Sequence, residues 1–143
     1  MDCYITRTGG YLPGEAINNE DISAFIGKLE GESDIKEKIL RMNGIKQRHY
    51  ALDRQQNPTH DVYDLATLAV EDCLNNCGDV ESIGYLSTGT TNAPLVAPGL
   101  ASILHSRLAE LEILKQSIEI NSNSGICTSA AQAIVNACRV VQL

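Results

Sequence analysis

A cysteine stands where a short alternating strand gives way to an alanine-rich helix. Residues 117–134 read SIEINSNSGICTSAAQAI, and Cys127 lies where we predict the helix to begin. The first N–H groups of a helix have no intrahelical partners and carry a partial positive charge, which stabilises a thiolate. We therefore expect the pKa of Cys127 to lie well below the free value of about 8.5. A sulfur in that state is a ready acceptor of acyl groups.

The same cysteine has a structural alternative, because small buried cysteines are common in alanine-rich packing helices. We assign that structural role to the other four cysteines, which are Cys3, Cys73, Cys77 and Cys138. An odd total of five without paired C-x-x-C spacing argues against a disulfide framework and against a zinc ribbon, so we expect reduced thiols. No metal site is predicted, since no residues near Cys73 and Cys77 complete a tetrahedral ligand set.

Composition and charge narrow the class of protein. A chain of 143 residues with 43% hydrophobic content predicts one globular domain over residues 1–143. No apolar run approaches the about 18 residues that cross a bilayer, and the amino terminus lacks the features of a secretory signal, which predicts a cytoplasmic protein. A net charge of −7 disfavours nucleic acid and anionic membranes as partners.

Basic residues nevertheless cluster in one segment. Six of the eleven lysines and arginines fall within residues 36–54, where Glu37 and Asp53 are the only acids. Such a cluster can receive a phosphate or an acidic partner protein, because charge-assisted contacts are stronger than neutral hydrogen bonds. On charge alone, a solvated helix face and turn explains the cluster equally well.

The chain alternates strands and helices at βα spacing. In the first part we predict a strand over residues 4–8 closed by Gly9 and Gly10, a short helix capped by Asn18 or Asn19, and a helix over 33–41 ended by Gly44. The clearest helical period covers 61–76. Beyond it we predict a strand over 83–87, a loop over 88–94, a helix from Leu95 to about Glu110, and a strand over 117–121.

The last helix carries apolar residues around most of its circumference, so we expect it to be buried nearly all round. Few residues follow it to provide cover. Either a partner chain covers it, for example a second copy in a homodimer, or the polypeptide is the front part of a larger protein.

These patterns resemble a known family. The order GIKQRH at 44–49, the amphipathic helix, the strand ending in a Gly/Thr loop, and CTSAAQAI at 127–134 resemble the first half of β-ketoacyl-(acyl carrier protein) synthase III almost end to end. Within that family, YLPG at 11–14, NGIK at 43–46 with YALD at 50–53, and EINSNSGIC at 119–127 are most similar to the condensing enzymes of dialkylresorcinol and aryl polyene pathways.

The resemblance implies an α/β, thiolase-like fold, a five-layered αβαβα sandwich of which this chain holds the amino-terminal half, usually in a dimer. It implies an acyltransferase in which Cys127 takes an acyl group from a thioester, and the acyl-enzyme condenses with a carrier-bound malonyl unit as carbon dioxide leaves. The backbone N–H of Cys127 would form half of an oxyanion hole. No cofactor is implied beyond phosphopantetheine-linked thioester substrates, and the implied partner is acyl carrier protein.

The resemblance also has limits. The family's catalytic His and Asn lie in the second half, and none of His49, His60 and His105 matches that His, so we assign these three structural or surface roles. Lys38 and Met42 occupy the places where the best-known members hold the coenzyme A adenine, and the chain has no Trp. Carrier-bound donors are therefore the expectation, with Arg41, Lys46 and Arg48 as candidate residues for the pantetheine phosphate or the carrier protein.

Two hypotheses follow about function. The first is a condensing acyltransferase whose amino-terminal portion is inactive alone. The second is a non-enzymatic partner subunit that serves as a docking module for acyl carrier protein. A thiol hydrolase or redox protein would need a base or a resolving thiol near Cys127, and the sequence offers no convincing one.

Overall fold

A computed structural model of the chain describes residues 2–27, 33–75 and 77–143. The chain forms two compact units. We call residues 12–61 the inserted unit, because they interrupt the sheet unit, which comprises residues 2–11 and 62–143.

The inserted unit is a small α/β structure. It contains β1 (Ile17–Asn18), α1 (Ile22–Ile26), α2 (Ser33–Asn43) and β2 (Gln47–Arg48), and the two strands pair antiparallel. Its core consists of three buried side chains with partly buried apolar neighbours: Ile17, Ile22 and Phe25, with Leu40, Tyr50 and Leu52. The rings of Phe25 and Tyr50 stack with centroids 5.4 Å apart.

Two predictions for this unit meet different outcomes. Gly44 follows α2 with a φ of 70°, the left-handed conformation in which glycine ends helices, as predicted. The predicted cap at Asn18 or Asn19 is wrong, because α1 begins at Ile22 after Asp21. Asn18 belongs to β1, and the side chain of Asn19 instead donates to the carbonyl oxygen of Ile45 at 2.8 Å.

The sheet unit holds a two-stranded parallel sheet with helices around it. Its elements are α3 (Val62–Leu74), a 3₁₀ turn (Val80–Ser82), β3 (Tyr85–Thr90), α4 (Leu100–Glu110), β4 (Glu119–Ser124) and α5 (Ser129–Gln142). The strands are in register from Tyr85 opposite Glu119 to Thr90 opposite Ser124, and α4 forms the crossover between them. Leu104, Leu108 and Leu114 form the buried core of this unit.

Several predicted boundaries in the sheet unit shift. β3 begins after the 3₁₀ turn and continues to Thr90, and β4 runs three residues past Asn121, because the parallel ladder extends into residues predicted as loop. The crossover helix begins at Leu100, so Leu95 lies outside it and is exposed. Asn76, the predicted end of the helix now called α3, lies outside the described residues.

Two larger predictions are wrong. Residues 4–8 form no strand, because no described strand pairs with them, and Tyr4 and Ile5 are exposed. α5 is not buried all round, since only Ser129 and Ala133 on it are buried while Ile134 and Val141 are 58% and 56% exposed. The described elements cover only the face of α5 that meets the sheet.

None of the helices in the described ranges has the length and apolar character needed to cross a membrane.

Candidate active site

The candidate nucleophile lies in a short turn between β4 and α5. The turn is anchored on the strand side by the backbone N–H of Gly125, which donates to the carbonyl oxygen of Thr90 at 3.2 Å. On the helix side, the carbonyl oxygen of Ile126 accepts from the backbone N–H of Ser129 at 3.2 Å and from its hydroxyl at 3.0 Å. Cys127 is held between these anchors and is exposed.

The predicted helix start at Cys127 is two residues too early. The first helical residue is Ser129. The backbone N–H of Gln132 donates to the carbonyl oxygen of Thr128 at 2.9 Å, which is the hydrogen-bond spacing of an α-helix. The carbonyl oxygen of Ile126 closes a tight turn with Ser129 instead, and this turn delays the helix. The thiol is therefore presented by the turn that leads into α5, not by the first residue of α5.

Glycine on the neighbouring strand fixes where α5 starts. A Cβ built on Gly89 of β3 would meet the carbonyl oxygen of Ser129 and would lie 2.6 Å from Cα of Ala130, both backbone atoms of the first turn of α5. Only a residue without a side chain allows that approach. The backbone of β3 is thus in direct contact with the helix turn that follows Cys127.

A polar network joins the two strands to the same helix. Asn123 of β4 donates through Nδ2 to Asn121 Oδ1 at 2.7 Å and to the carbonyl oxygen of Thr88 at 2.9 Å. Asn136 of α5 donates through its own Nδ2 to Asn123 Oδ1 at 3.1 Å and to Asn121 Oδ1 at 3.3 Å. Because these amides are partly buried and satisfied by one another, they fix the register between helix and sheet.

The other side of β4 is fixed to α4. Ser122 Oγ accepts the backbone N–H of Ala101 at 3.0 Å, which satisfies one of the free donors in the first turn of α4. The residue before that helix is Gly99, where an added Cβ would lie 2.8 Å from Cβ of Ser122. These contacts fix the position of β4 against α4, and the Cys127 turn follows directly after the carboxyl end of β4.

The Cys127 thiol has no hydrogen-bond partner among the described residues of its own unit. Among the described residues of the sheet unit, neither Sγ nor the backbone N–H of Cys127 is hydrogen-bonded. His105 is engaged elsewhere, since its Nε2 donates to the carbonyl oxygen of Gln116 at 3.1 Å. The N–H of Cys127 is thus available to an acceptor, and no base is hydrogen-bonded to the sulfur among the described residues of that unit.

The two histidines of the inserted unit are also bound locally. His49 Nδ1 donates to the carbonyl oxygens of Pro13 at 3.2 Å and Gly14 at 3.3 Å. His60 Nδ1 shares a hydrogen bond of 2.9 Å with the hydroxyl of Thr59. These contacts agree with the structural or surface roles assigned to both.

The candidate carrier-binding residues lie on different elements of the inserted unit. Arg41 on α2 pairs with Glu37 at 3.3 Å, and both side chains are exposed. Arg48 on β2 is half-buried and donates to Asn19 Oδ1 at 2.8 Å. Lys46, between α2 and β2, is exposed and has no ion-pair partner in the described ranges.

One charge of the basic cluster is neutralised by an acid from outside residues 36–54. Arg54 pairs with Glu15, an acid that lies far outside the cluster in sequence, whereas Lys36 contacts the neutral hydroxyl of Ser23 and keeps its charge. Lys38 and Lys46 are the exposed cations of the cluster that have no ion-pair partner among the described residues.

A shallow depression of about 800 Å³ lies elsewhere on the sheet unit. Residues of α3, the 3₁₀ turn and the connection after α4 line it, among them Glu71, Asp72, Glu81 and Glu112. Cys127 does not line it, and its acidic wall does not suit a phosphopantetheine group.

The sequence singled out Cys127 as the candidate nucleophile but did not predict the contacts that hold its turn in place. Gly89 was read as part of a loop, although an isolated glycine in a strand is a signal of close backbone approach. Asn121 and Asn123 gave a second signal. They lie on the same face of a strand, and buried amides need hydrogen-bond partners, so their spacing indicates a polar contact with the neighbouring helix.

Comparison with known proteins gives a consistent result. No family model matches the sequence. The chain is 32% identical over 109 residues to "Beta-ketoacyl-[acyl-carrier-protein] synthase III" of Rickettsia prowazekii, covering 76% of this chain and 31% of that protein. It is 34% identical over 107 residues to the protein of the same name in Xanthomonas oryzae pv. oryzae, covering 75% and 30%. The chain thus spans about a third of the length of these relatives.

Solved structures show the same fold. A β-ketoacyl-(acyl carrier protein) synthase III from Thermus thermophilus superposes with a TM-score of 0.72 at 23% identity, covering 96% of this chain and 38% of that one. A 3-oxoacyl-(acyl carrier protein) synthase III from Pseudomonas aeruginosa gives 0.61 at 18% identity, covering 95% and 36%. The predicted thiolase-like α/β fold is confirmed, and the predicted family is supported by the sequence relatives.

Proposed function

We propose that this chain is the nucleophile-bearing, amino-terminal part of a condensing acyltransferase of the β-ketoacyl-(acyl carrier protein) synthase III type. The proposal rests on its similarity to proteins of that name and on one structural observation. That observation is the exposed thiol of Cys127 in a turn braced by the parallel sheet on one side and by α5 on the other.

The first half of the reaction is acyl transfer to Cys127. The sulfur attacks the carbonyl carbon of a thioester, the carbonyl oxygen becomes an oxyanion, and the pantetheine thiolate leaves and takes up a proton. The unengaged backbone N–H of Cys127 can donate to that oxyanion, and one such donor lowers the barrier by about 3 to 4 kcal/mol in enzymes that use it.

The second half is decarboxylative condensation. The carrier-bound malonyl unit loses carbon dioxide, its α-carbon attacks the acyl carbon, and the Cys127 sulfur leaves. In the family that the chain resembles, this step belongs to a His and an Asn of the second half. No residue of this chain matches either of them. We therefore propose that the 143-residue chain alone releases no condensation product.

We propose acyl carrier protein as the partner that delivers both acyl units. The exposed Lys46 supports this, with Arg41 and Arg48 on neighbouring elements, because carrier proteins and pantetheine phosphate are anionic. Of these, Arg41 is paired with an acid, Arg48 is half-buried and bound to the neutral amide of Asn19, and Lys46 is exposed without an ion-pair partner among the described residues. The resemblance of residues 119–127 further favours a dialkylresorcinol or aryl polyene condensing enzyme over a primary fatty acid synthase.

Acylation is tested by intact-protein mass spectrometry. The chain, and a version extended to the relatives' full length, are incubated with octanoyl-acyl carrier protein. We expect an octanoyl adduct in the extended protein that neutral hydroxylamine removes and that maps to Cys127. Cys127→Ala abolishes the adduct, whereas the matched control Cys77→Ala, at a half-buried cysteine three residues after α3, retains it.

Two results would contradict the proposal in different ways. An adduct that survives Cys127→Ala defeats the nucleophile assignment. Binding of the carrier protein without any adduct supports the docking subunit in place of the enzyme. Release of carbon dioxide from malonyl-acyl carrier protein by the 143-residue chain would show that the chain carries its own condensation residues.

A further inference from the structure

Two cysteines that are distant in sequence meet on the surface of the sheet unit. Sγ of Cys3, in the amino-terminal segment, lies 3.5 Å from Sγ of Cys138 on α5. The two residues are 135 positions apart in the chain, so the contact is tertiary. Cys3 is exposed and Cys138 is half-buried, which leaves the pair open to small solutes.

We propose that Cys3 and Cys138 are a redox-active thiol pair, which peroxide oxidises to a disulfide that ties the amino-terminal segment to α5. This inference is independent of the acyltransferase proposal, since it does not involve Cys127.

The geometry favours closure of this bond. A disulfide holds its sulfurs about 2.05 Å apart, so the two atoms must approach by about 1.5 Å. Residues 2–11 belong to no helix or strand and can supply that movement, while Cys138 is fixed on a helix. The segment is already held against the same unit further along, because Arg7 donates to the carbonyl oxygen of Asn75 at 3.2 Å and the N–H of Gly10 donates to Asp72 at 3.0 Å.

The resting state of the pair is the dithiol. The hydrogen bond to Cys138 raises the pKa of the Cys3 thiol, and desolvation and the Coulombic effect of Cys138 act in the same direction. Peroxide reacts with the thiolate, so the raised pKa keeps the pair reduced at low peroxide and makes its oxidation faster as pH rises.

The oxidation balances with hydrogen peroxide as the two-electron acceptor. Peroxide oxidises one sulfur to a sulfenic acid, as the O–O bond breaks, an S–O bond forms and one water leaves. The second sulfur then attacks the sulfenic sulfur, the S–S bond forms, and the oxygen leaves as a second water with the remaining proton. Two thiols thus lose two electrons and two protons, and one peroxide becomes two waters.

The test uses peptide mapping of the full chain. Trypsin cleaves after Arg7, after Lys115 and after Arg139, so Cys3 lies in peptide 1–7 and Cys138 in peptide 116–139. The second peptide also contains Cys127, and the assignment is therefore made in a Cys127→Ala background. After peroxide treatment and alkylation of the remaining thiols, we expect these two peptides to be linked, with a mass about 2 Da below their sum.

Variants make the assignment specific. Cys3→Ser and Cys138→Ser should each abolish the linked peptide, and Cys77→Ser, another half-buried cysteine of the same unit, should leave it unchanged. Dithiothreitol should restore alkylation of both cysteines. Full alkylation of Cys3 and Cys138 after oxidation, their conversion to sulfinic acids without linkage, or a link from Cys3 to another cysteine would each overturn the proposal.

Discussion

The turn at Cys127 and the basic segment of the inserted unit both hold candidate functional residues, but they hold them by different means. The turn is fixed by backbone contacts and by satisfied, partly buried amides. The basic side chains are held by exposed pairs such as Arg41 with Glu37. Close packing gives one defined geometry, whereas exposed ion pairs contribute little energy and exchange readily.

The difference fits the two proposed roles, nucleophilic attack by Cys127 and docking of an acidic partner at the basic segment. A nucleophile must be held within a fraction of an ångström of its productive position, since small displacements cost large factors in rate. A surface that receives an acidic partner gains from mobile charges that steer encounter. Substitutions near the turn should therefore change folding and chemistry together, and substitutions in the basic segment should change binding alone.

The largest effect is expected at Gly89. Gly89→Val places a side chain against the backbone of Ser129 and Ala130, so α5 must move away from β3. We expect destabilisation of about 3 kcal/mol or more, since overpacking costs about 1–3 kcal/mol even where only side chains must yield. Urea denaturation measures it, with Gly84→Val as control, because a Cβ on Gly84 meets nothing within 4 Å. Equal losses in both variants would contradict the close-approach argument.

The next effect concerns the amide network. Asn123→Ala removes donors to Asn121 and Thr88 and leaves the donor group of Asn136 without one acceptor. We expect a loss of about 1–3 kcal/mol in the free energy of unfolding, the cost of an unsatisfied partly buried group. Gln132→Ala is the control, since its amide makes one exposed hydrogen bond to Asn136. If Gln132→Ala lowers the free energy of unfolding as much as Asn123→Ala does, the amide network does not fix the position of α5 on the sheet.

A smaller effect on stability, with a specific effect on binding, is expected in the basic segment. Lys46→Glu should leave the unfolding midpoint nearly unchanged, because the side chain is exposed and unpaired within the described residues. It should weaken binding of acyl carrier protein about tenfold, in a manner that rising salt diminishes.

Calorimetric titration of the carrier protein measures that affinity. Arg41→Glu provides the comparison, since Arg41 is already paired with Glu37 and its reversal should matter less. Identical affinities for wild type and Lys46→Glu would remove Lys46 from the proposed carrier surface.

The smallest effect is local and depends on pH. Asp53 accepts hydrogen bonds from the side chain of Asn57 at 2.9 Å and from the backbone N–H groups of Asn57 and Gln55 at 2.8 Å. The side-chain bond from Asn57, followed by the backbone bond, lowers the pKa of this carboxyl below 3.8. A lowered pKa means that the turn is stabilised above the unfolded-state pKa and loses that support as pH falls through the folded value.

NMR titration of the Asp53 carboxyl tests this assignment. Asn57→Ala should raise its pKa towards 3.8, because the largest contribution to the shift is removed. An unchanged titration midpoint in that variant would assign the shift to another cause.

The sequence alone determined the order of the five helices and of β3 and β4, and it placed the thiol between a strand and a helix, but it did not predict β1 and β2. Apolar period and turn residues are local signals, so α3, α4, β4 and the glycine that ends α2 were identified with boundary shifts. The segment 4–8 was misread because extended sequence becomes a strand only when another strand supplies its hydrogen bonds.

Tertiary structure decided what holds Cys127 and where α5 begins. The contact of Gly89 with the first turn of α5, the amides of Asn121, Asn123 and Asn136, and the meeting of Cys3 with Cys138 each join residues from separate elements. Periodicity along one segment carries no information about such distances, because they are set only when the chain packs. The sequence indicated Cys127 as the candidate nucleophile, and packing determined its exposure and the contacts that hold its turn in place.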